Sequence, residues 1–526
     1  MNLRWALLAV TWFAVGCSAP GEVDAGTGGG TATGGGTATG GGTATGGGTA
    51  TGGGTATGGG TATGGGTATR ELFVATNGLD SNPGTAAAPL RTINRGIVLA
   101  GATEATLVTV RGGTYSEKVS ITGDGSTSAA SLTLRSAPGE LATLDGTGLT
   151  ASGQQGLIDV TSRSNLTIDG FELKNFRTSN GNVPVGIQVT GTEDHVTLSN
   201  NHVHDIITTN ESCSGAGGNA LGIAVYGDRA PQAITNLVIR DNVLDAMKTG
   251  CSETMTLNGN VDGFLIEGNL VHDDDNIGID IIGFEGTSPM PAYDQARNGI
   301  IRRNSVWNIT SLNNAAYAGQ QAADGIYVDG GKNVLIERNV VHNADLGIEI
   351  ASEHAGKSSS YVLARSNVVY FCPQAGLSIG GYASGVGNTD HAVLLNNTLY
   401  ENAVELQVQF HVTTTTFQNN LVFNSTASFV GGGTAGVTQV ANLQRSGSAA
   451  ALFVGPGTPP DGAVAVDLHV TTAASASVVD QGVPLTACPA GWTCPAAWGT
   501  DLQGPGDLSG APRVQHAAVD VGAHES

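Results

Sequence analysis

Cationic residues and aromatic residues are scarce in this chain. Its 526 residues include 22 Lys and Arg against 44 Asp and Glu, which gives a formal net charge of −22. Nucleic-acid binding calls for clustered Lys and Arg, so the composition argues against a nucleic-acid partner. It also disfavours a polyanionic ligand, unless a metal or a local basic cluster offsets the negative charge. The 5 Trp and 9 Tyr are too few to predict an aromatic track on which sugars stack.

Cysteine is also rare, with 6 in the chain, and its spacing argues against a structural zinc site. Neither a CxxC motif nor a Cys/His zinc spacing occurs. Cys488 and Cys494 are close enough to form a small loop disulfide in an oxidising compartment, and Cys213 with Cys251 is a second candidate pair. Cys372 is then unpaired, and we expect it to be a buried small apolar residue.

The N-terminus contains no apolar run long enough to span a bilayer. The run from Trp5 to Val15 follows a short positive start, as in a signal peptide. The stretch from Ala14 to Cys17 resembles a bacterial lipobox, which implies lipidation of Cys17, and Ser18 after it is similar to the signal of outer-membrane lipoproteins. We expect residues 1–17 to be a lipoprotein signal peptide and the protein to be an exported lipoprotein of the outer membrane or cell surface, held to the membrane only by its N-terminal lipid. The alternative is an ordinary secretory signal with a chance cysteine.

From Thr27 to Thr69 the chain repeats Thr-Ala-Thr-Gly-Gly-Gly with almost no variation. Such a segment cannot fill a core, and Gly is the residue most costly to order. We expect residues 18–69 to be a disordered tether, whose repeats alone reach about 35 to 40 Å by random-coil scaling. The tether would hold the folded part away from the membrane surface.

A polar Asn set in apolar, strand-like sequence recurs along the middle of the chain. The repeated segments begin at Asn201, Asn242, Asn269, Asn304, Asn339, Asn367, Asn397 and Asn420. Successive positions are roughly 23 to 41 residues apart, as in solenoid coils with loops of variable length. An inward Asn can bond its side chain to the backbone of the neighbouring coil, and coils this small must stack to bury their apolar faces. The sequence therefore predicts an all-β fold, a right-handed parallel β-helix.

The boundaries of this solenoid follow from the repeats. We expect an N-terminal cap and the first coils in residues 70–150, the regular β-helix in residues 151–445 and a C-terminal closing module in residues 446–526. The folded part has roughly 450 residues, which is ample for a large core. We expect it to act as a monomer.

Two segments carry resemblances to known families. The segment Phe73-Val-Ala-Thr-Asn-Gly-Leu-Asp-Ser-Asn-Pro-Gly-Thr, with Pro89-Leu-Arg-Thr-Ile-Asn and Gly112-Gly-Thr-Tyr, is similar to the N-terminal cap of secreted pectate-lyase-like β-helix proteins, including polysaccharide lyase family 9. The tail from Asp467-Leu-His-Val to Val519-Asp-Val-Gly-Ala-His-Glu resembles the C-terminal module of bacterial surface β-helix proteins often called choice-of-anchor. The second resemblance implies that the carboxylates of the tail fix a closing loop or a Ca²⁺ ion.

The residue after each Gly-Ile pair, or Gly-Leu pair in one coil, is expected to point outward from the same strand on every coil. These positions are Gln188, Ala224, Asp280, Tyr327, Glu349 and Ser378. Neighbouring strands are about 4.8 Å apart, so the positions should form a polar stripe along a groove. The coils that carry the acids also carry two long loops, residues 285–297 and 311–323, which can wall a cleft. We predict catalytic roles for Asp280, Tyr327, Glu349 and His354, and substrate contacts for Asp324, Asp329 and Glu353.

The first chemistry that fits this stripe is a Ca²⁺-assisted lyase reaction on a uronate-containing polysaccharide. In family 9 lyases an Asp-rich segment holds Ca²⁺ and a Lys on the next coil removes a proton. The resemblance is partial, because Asp280 matches the last Asp whereas Tyr327 stands where the family has its Lys. Tyr327 can replace that Lys as base or acid only if its pKa is lowered. Asp273, Asp274 and Asp275, together with Asp280, retain the oxygen-rich character that suits Ca²⁺, although a solvated turn explains the acidic run equally well.

Two alternatives remain open. One is a glycoside hydrolase with paired carboxylates, for which Asp280 and Glu349, two coils apart, would be about 9 to 10 Å apart, near the upper limit for an inverting pair. The other is a surface scaffold that binds glycans or mediates adhesion without catalysis, since fold alone does not confer activity. Arg302 and Arg303 are candidates for contacts with carboxylated sugars, but both lie beside an Asn corner where they can pair with neighbouring acids.

A histidine also recurs three residues after several of the repeated Asn residues, at His204, His272 and His342. A metal-binding ladder is one interpretation. However, aromatic residues take the same position in other coils, at Trp307, Tyr370, Tyr400 and Phe423. A flat packing residue at a corner therefore explains the pattern better.

Overall fold

The computed structural model describes residues 70–526, except 128, 179–180, 214–217, 425–429, 433–434, 458–465, 490–491, 500, 514–518 and 525–526. Its strands form three long parallel sheets that wind into a β-helix, as the repeats predict. Each coil passes through the sheets in one order, and we number them sheets 1, 2 and 3 in that order. The predicted signal peptide, Cys17 and the tether lie outside the described residues.

Within each sheet, a strand pairs with the strand from the next coil. Sheet 1 consists of Arg70–Val74, Thr106–Val110, Leu132–Ser136, Leu166–Asp169, Val196–Ser199, Ile234–Arg240, Val261–Glu267, Arg297–Arg302, Lys332–Glu337, Ser358–Arg365, Asn388–Leu395, Thr415–Gln418 and Val437–Val440, with Val412–Thr413 also paired to Asn388–Leu395. Sheet 2 consists of Gly113–Tyr115, Ala142–Asp145, Phe171–Lys174, His202–His204, Val243–Asp245, Leu270–Asp274, Ser305–Ile309, Val340–Ala344, Val368–Tyr370, Thr398–Tyr400, Leu421–Phe423 and Leu443–Arg445. Sheet 3 consists of Val119–Thr122, Gln154–Thr161, Val183–Thr190, Leu221–Gly227, Met255–Gly259, Ile279–Ile282, Asp324–Asp329, Leu346–Ala351, Ala375–Ile379, Leu406–Val408 and Val430–Gly432.

The remaining elements are short. Two small sheets pair Arg177–Thr178 with Ile207–Thr208 and, antiparallel, Phe453–Gly455 with Asp467–Val470. The helices are Ile93–Ala100 and Ala449–Leu452, and the 3₁₀ turns are Ala315–Tyr317, Ser475–Ser477 and Ala496–Trp498. Within the described ranges, no helix is both long and apolar enough to cross a membrane.

The first helix caps the N-terminal end of the solenoid. The Thr92 hydroxyl accepts a hydrogen bond from Arg95 N and so caps the helix N-terminus. The Asp80 carboxylate in turn accepts from the Thr92 hydroxyl at 2.9 Å. Ile93 and Ala100 are buried against the first strands. The helix thereby covers the apolar interior at the N-terminal end of the solenoid.

A ladder of buried Asn side chains runs along the corner between sheets 1 and 2. The Oδ1 atom of Asn304 accepts from both the backbone N and the Nδ2 of Asn269, each at 2.9 Å. Asn304 Nδ2 also donates to the Ile266 carbonyl oxygen at 3.1 Å. The same pattern joins Asn201, Asn242, Asn269, Asn304, Asn339, Asn367, Asn397 and Asn420, and extends to Asn442. The predicted role of the repeated Asn is confirmed, because buried backbone groups at the corner find their partners in these side chains.

The residue before each ladder Asn makes the turn itself. Arg303, Arg338 and Ser366 each have a φ of 55°, in the left-handed region. A single left-handed residue between two extended segments turns the chain from sheet 1 into sheet 2 within a very short corner. The side chain of that residue therefore lies at the corner rather than on the face of a sheet.

The C-terminal residues pack against the outside of the β-helix. Trp498 and Leu502 contact Leu335 and Leu363 on the outer face of sheet 1. Phe453 and Leu468 belong to a second cluster with Tyr370, Tyr400 and Phe423 on the outer face of sheet 2. Among the described residues, neither cluster includes a residue of sheet 3. These two clusters therefore do not cover the outer face of sheet 3.

The cysteines pair as their positions suggest. Disulfides join Cys213 to Cys251 and Cys488 to Cys494. Cys372 is a free thiol and is buried. Its environment in the apolar interior raises the pKa of the thiol far above its usual range, so Cys372 acts as a packing residue.

Candidate active-site groove on sheet 3

The predicted stripe lies in register on the outer face of sheet 3. Strand pairing aligns Asp280 with Tyr327, Tyr327 with Glu349 and Glu349 with Ser378. The residues on either side of Asp280, Ile279 and Ile281, belong to the core, so the side chain of Asp280 projects outward. Asp280 and Glu349 are thus two coils apart, as the sequence suggests.

The register adds one strand that the Gly-Ile pattern misses. Thr256 lies between Ala224 and Asp280 in the stripe, on the strand Met255–Gly259. Thr254 precedes this strand where Gly278 precedes the next one, so the Gly-Ile motif does not detect it. The spacing of 24 residues between Thr256 and Asp280, within the repeat length, is the signal that could have revealed it.

Two long loops flank the stripe at opposite edges of the sheet. Residues 285–297 follow the strand Ile279–Ile282, whereas residues 311–323 precede the strand Asp324–Asp329. In the first loop the Asp294 carboxylate accepts hydrogen bonds from Gly286 N at 2.6 Å and Ser288 N at 2.9 Å. In the second, Asn314 Nδ2 donates to the Gly250 carbonyl oxygen at 2.7 Å. Both loops are therefore fixed in place at the two edges of the outer face of sheet 3, and we call the surface between them the groove.

Seven carboxyl groups gather in this groove. Asp280, Asp324 and Asp329 are only 2 to 3% exposed. The cluster comprises Glu253, Asp280, Glu285, Asp324, Asp329, Glu349 and Glu353. For most of these groups, the charges that act most strongly are those of other members of the cluster, so the groove concentrates negative charge.

Burial and mutual repulsion raise the pKa values in this cluster. Burial and the neighbouring Glu285 carboxylate raise the pKa of Glu253 to about 8. Burial, with Glu285 and Glu349, raises the pKa of Glu353 to about 7. The pKa of Asp280 lies well above its usual range because of burial and the charges of Glu253 and Asp329. A proton or a cation is therefore required to stabilise the groove near neutral pH.

Glu349 has a hydrogen-bonded environment of its own. Burial raises its pKa to about 7, although hydrogen bonds from Ser378 and Asp324 lower it. The Ser378 hydroxyl donates to Glu349 Oε1 at 2.9 Å, and Gln409 Nε2 donates to the Ser378 oxygen at 3.0 Å. Glu349 is thus a carboxyl group that exchanges its proton near neutral pH, which suits a general acid or base. No motif in the sequence points to the contribution of Gln409.

Three residues at the C-terminal ends of the sheet-3 strands can hold a cation. Glu285, Asp329 and His354 each place one ligand atom within 4.8 Å of the others. Asp329 Oδ1 also accepts from Glu353 N at 2.8 Å, which fixes the carboxylate. Among the described atoms, His354 Nε2 and Asp280 Oδ1 are buried without a hydrogen-bond partner. The carboxylate oxygens fit Ca²⁺, whereas the imidazole nitrogen is more usual around first-row transition metals.

The structure separates three of the four predicted metal ligands from Asp280, because Asp273, Asp274 and Asp275 lie at the turn before sheet 3. Asp274 Oδ1 accepts from Met247 N at 2.9 Å, and Asp275 Oδ1 accepts from Thr249 N at 2.7 Å. Asp273 pairs with His272 at 2.7 Å and is half exposed. All three acids line a separate surface cavity of about 580 Å³. Of the four residues predicted to bind metal, only Asp280 belongs to the acid cluster.

Arg302 and Arg303 do not contact the groove. Arg302 is the last residue of a sheet-1 strand and Arg303 forms the next corner. Arg302 Nε lies 2.7 Å from Glu267 Oε1, and Arg303 Nη1 lies 3.2 Å from the same oxygen. They therefore lie apart from Asp280, because Arg302 ends a sheet-1 strand and the chain turns through the Asn corner directly after it. They pair with a neighbouring acid instead.

Tyr327 also differs from expectation. Burial and the charges of Asp329 and Glu353 raise the pKa of its hydroxyl well above the usual range. The lowered pKa that a base would need is therefore absent in this environment. A protonated hydroxyl between Asp280 and Glu349 can act as a hydrogen-bond donor or as an acid.

The chain is similar in sequence to a described protein family and to a protein from Bacillus subtilis. Residues 76–359 match the model of the family described as "Protein of unknown function (DUF1565)". The uncharacterized protein YwoF of Bacillus subtilis (strain 168) is 35% identical over 359 residues, which are 67% of this chain and 74% of YwoF.

Solved structures of similar fold have low sequence identity. A rhamnogalacturonan lyase matches with a TM-score of 0.49 and 13% identity, over 78% of this chain and 98% of that one. Pectate lyase Pel9A matches with a TM-score of 0.47 and 14% identity, over 87% and 96%. These likenesses concern the fold alone. The extent of the family match and the identity to YwoF show that the chain belongs to the DUF1565 family.

Proposed function

We propose that the groove on sheet 3 degrades a uronate-containing polysaccharide by β-elimination, assisted by a divalent cation such as Ca²⁺. The observation that carries the proposal is the cluster of seven carboxyl groups on the outer face of sheet 3, with pKa values raised by burial and repulsion. Such a cluster costs stability, and residues with strongly perturbed pKa values gather preferentially at active sites. An evenly hydrated face would instead favour a binding scaffold.

The cation is needed because the substrate and the groove are both anionic. Glu285, Asp329 and His354 are the residues that would hold it, with Asp280 beside them. When bound, it would neutralise the uronate carboxylate and acidify the adjacent carbon-bound proton. The oxygen donors fit Ca²⁺, so the proposal retains that ion as the first choice to test.

Glu349 and Tyr327 supply the acid–base chemistry. In its ionised form, Glu349 accepts the proton from the carbon α to the uronate carboxylate. The carbon–oxygen bond to the leaving sugar then breaks and a carbon–carbon double bond forms. The hydroxyl of Tyr327, on the adjacent strand, gives its proton to the leaving oxygen. Both side chains project from the same face of one sheet, where a bound chain would contact both.

A carboxylate-pair hydrolase is the second candidate, favoured by one specific observation. Asp324 and Glu349 are neighbouring buried carboxyl groups, and burial raises the pKa of both, so the pair can hold a shared proton. Asp280 lies two strands from Glu349, or about 9.6 Å by strand spacing, close to the separation of inverting pairs. In an inverting pair of this kind, one carboxyl group protonates the glycosidic oxygen and the other activates a water molecule.

The experiment that separates these candidates uses a panel of pectic, alginate-type and neutral polysaccharides, with Ca²⁺ and with chelator. Ultraviolet absorbance reports unsaturated products, and a second assay reports new reducing ends. A lyase gives both signals, and a cation-dependent one loses them with chelator. A hydrolase gives reducing ends without absorbance. Binding without either signal would overturn the enzymatic proposal in favour of a glycan-binding scaffold.

We propose further that the protein works at the cell surface as a lipoprotein anchored through Cys17. The support is the lipobox-like stretch that ends at Cys17 and the glycine-rich repeat that follows it. Wild-type protein should remain with the membrane fraction and take up a labelled fatty acid. A Cys17→Ser variant that behaves identically would contradict the anchoring.

A further inference from the structure

The outer face of sheet 2 carries a second group of metal-ligating side chains, on a different sheet from the groove. Glu172, His202 and His204 each place one ligand atom within 4.8 Å of the other two. Strand pairing aligns His202 with Glu172 on the neighbouring strand. The two histidines are separated by Val203, which is buried in the core, so both imidazoles project from the outer face. A rigid sheet therefore holds the three side chains together.

Each histidine has a carboxylate behind it. His204 Nδ1 lies 2.9 Å from Asp205 Oδ2, and His202 Nε2 lies 2.8 Å from Asp245 Oδ1. A carboxylate against one ring nitrogen fixes the tautomer and orientation of the imidazole and makes the other nitrogen a better ligand. The other nitrogen of His204, Nε2, is 3.4 Å from Glu172 Oε1. His204 thus has the arrangement of an inner ligand with an outer carboxylate that is found around protein-bound zinc.

The two oxygens of Glu172 are used differently. Oε2 accepts a hydrogen bond from the Thr143 hydroxyl at 2.7 Å and pairs with Lys174 Nζ at 2.8 Å. Oε1 faces His204. Lys174 and Thr143 therefore orient the carboxylate and leave Oε1 for a ligand on the histidine side. The side chain of His202 is 41% exposed, which gives an ion access from solvent.

We propose that this cluster binds a zinc-type divalent cation, with Glu172, His202 and His204 as ligands and with Asp205 and Asp245 as positioning residues. Two imidazoles and one carboxylate make a donor set that Zn²⁺ prefers, and three protein ligands leave the fourth position open to water. Ca²⁺ and Mg²⁺ prefer oxygen ligands and fit this set poorly. The site ties together three successive coils, because Glu172, the histidines and Asp245 come from three adjacent strands.

The sequence signal for this cluster is not one of the Cys-based zinc spacings. The absence of those spacings is why the sequence predicts no structural zinc. The relevant signal is instead His202-Val-His204 within one strand. The metal-binding ladder that runs three residues after each Asn is not formed, since Asp245 follows His204 in the register. Trp307 and His342 stack on neighbouring rings as flat packing residues.

The test is a titration of the metal-free full chain with Zn²⁺ by calorimetry, and with Co²⁺ by visible absorption. Wild-type protein should bind Zn²⁺ at this site, and Co²⁺ should give the absorption bands of a four-coordinate ion with nitrogen ligands. His204→Gln should weaken this binding at least tenfold and remove those bands. Asp245→Asn should weaken it by about 10-fold to 100-fold, as loss of an outer carboxylate does. His411→Gln, at an exposed histidine on another part of the chain, should change neither signal.

The groove on sheet 3 is a second place where cations can bind, so the titration is repeated with Asp329→Asn. The sheet-2 site should keep its affinity and its absorption bands in that variant, whatever the fate of the proposed enzymatic function. Equal melting temperatures in chelator show that His204→Gln is folded. Unchanged Zn²⁺ affinity and an unchanged Co²⁺ spectrum in His204→Gln would overturn the proposal.

Discussion

The Ser378 hydroxyl donates a hydrogen bond to Glu349 Oε1 at 2.9 Å, across two adjacent strands of sheet 3. This bond lowers the pKa of Glu349, which burial otherwise raises and which lies at about 7. As a base, Glu349 must be ionised, so lyase activity should rise with pH through about 7. Ser378→Ala removes the bond and should move that rise to higher pH. The pH–rate profiles of the two proteins check this.

Ser120 provides a matched control for that experiment. It occupies the same outward position of sheet 3 near the N-terminal end of the solenoid, where it aligns with Asp159. Ser120→Ala should leave the pH profile unchanged. A profile of Ser378→Ala that coincides with wild type would show that Glu349 is not the titrating base.

Single substitutions in the stripe should abolish turnover without lowering stability. Asp280→Asn, Tyr327→Phe and Glu349→Gln each keep the shape of the side chain, and two of them remove a buried carboxylate that repels its neighbours. We expect melting temperatures equal to or above wild type, together with loss of measurable product formation. Gln188→Ala, at the same stripe position three to five coils earlier, should remain active. If all three central variants keep full activity, the active site lies elsewhere.

Cation binding should depend on the acids at the C-terminal ends of the sheet-3 strands and not on the turn that contains Asp273, Asp274 and Asp275. At pH 8, addition of Ca²⁺ should raise the melting temperature because the ion relieves repulsion within the acid cluster. Asp329→Asn should remove most of that increase. Asp273→Asn should keep it, since Asp273 pairs with His272 outside the groove. The opposite result would restore the acidic run as the metal site.

The Asn ladder should be a major source of stability. Asn304→Ala removes the acceptor for both the backbone N and the Nδ2 of Asn269 and leaves them buried. Unsatisfied buried groups cost about 1 to 3 kcal/mol each, so the variant should lose about 2 to 5 kcal/mol of unfolding free energy. Asn77→Ala, at an exposed position, should change it by less than about 0.5 kcal/mol. Chemical denaturation compares the two, and equal effects would mean that the ladder adds no stability beyond packing.

Glu193 should make stability depend on pH. It is fully buried, and burial raises its pKa to about 8 from a usual value of 4.5. The folded protein therefore keeps a proton that the unfolded chain releases. The associated stability is complete below pH 4.5 and is lost as pH rises through about 8. Glu193→Gln, which stays neutral, should lose less stability over this range than wild type.

Glu104→Gln is the matched control for that measurement, because the Glu104 side chain is 45% exposed. Its melting temperature should follow the wild-type dependence on pH. A Glu193→Gln variant with the wild-type slope would contradict the assignment of a buried, protonated Glu193.

The fold follows from the sequence because each coil repeats the same physical requirement. A buried corner needs a side-chain partner for its backbone, and the Asn residues from Asn201 to Asn420 supply it at intervals that can be counted. The outward stripe is equally predictable, because strand residues alternate between the two faces. The sequence alone therefore predicts that Asp280, Tyr327 and Glu349 lie on one line.

The composition of the site could be predicted only in part. Which acids meet depends on loop paths that no repeat specifies, so the sequence does not indicate that Glu285 joins the cluster. Asp273, Asp274 and Asp275 resemble a metal site in sequence. However, the carboxylates of Asp274 and Asp275 accept hydrogen bonds from nearby backbone N–H groups. The sequence spacing does not reveal the proposed zinc-type cluster on sheet 2, because the strand register brings Glu172 to His202.

The most direct test of the proposed lyase activity measures ultraviolet absorbance while wild-type protein and Glu349→Gln are incubated with uronate-containing polysaccharides in Ca²⁺. We expect absorbance from unsaturated products to rise with wild type, to stop rising when chelator is added, and to be absent with Glu349→Gln. No absorbance from wild type on any uronate-containing polysaccharide, or equal absorbance from both proteins, would contradict the proposal.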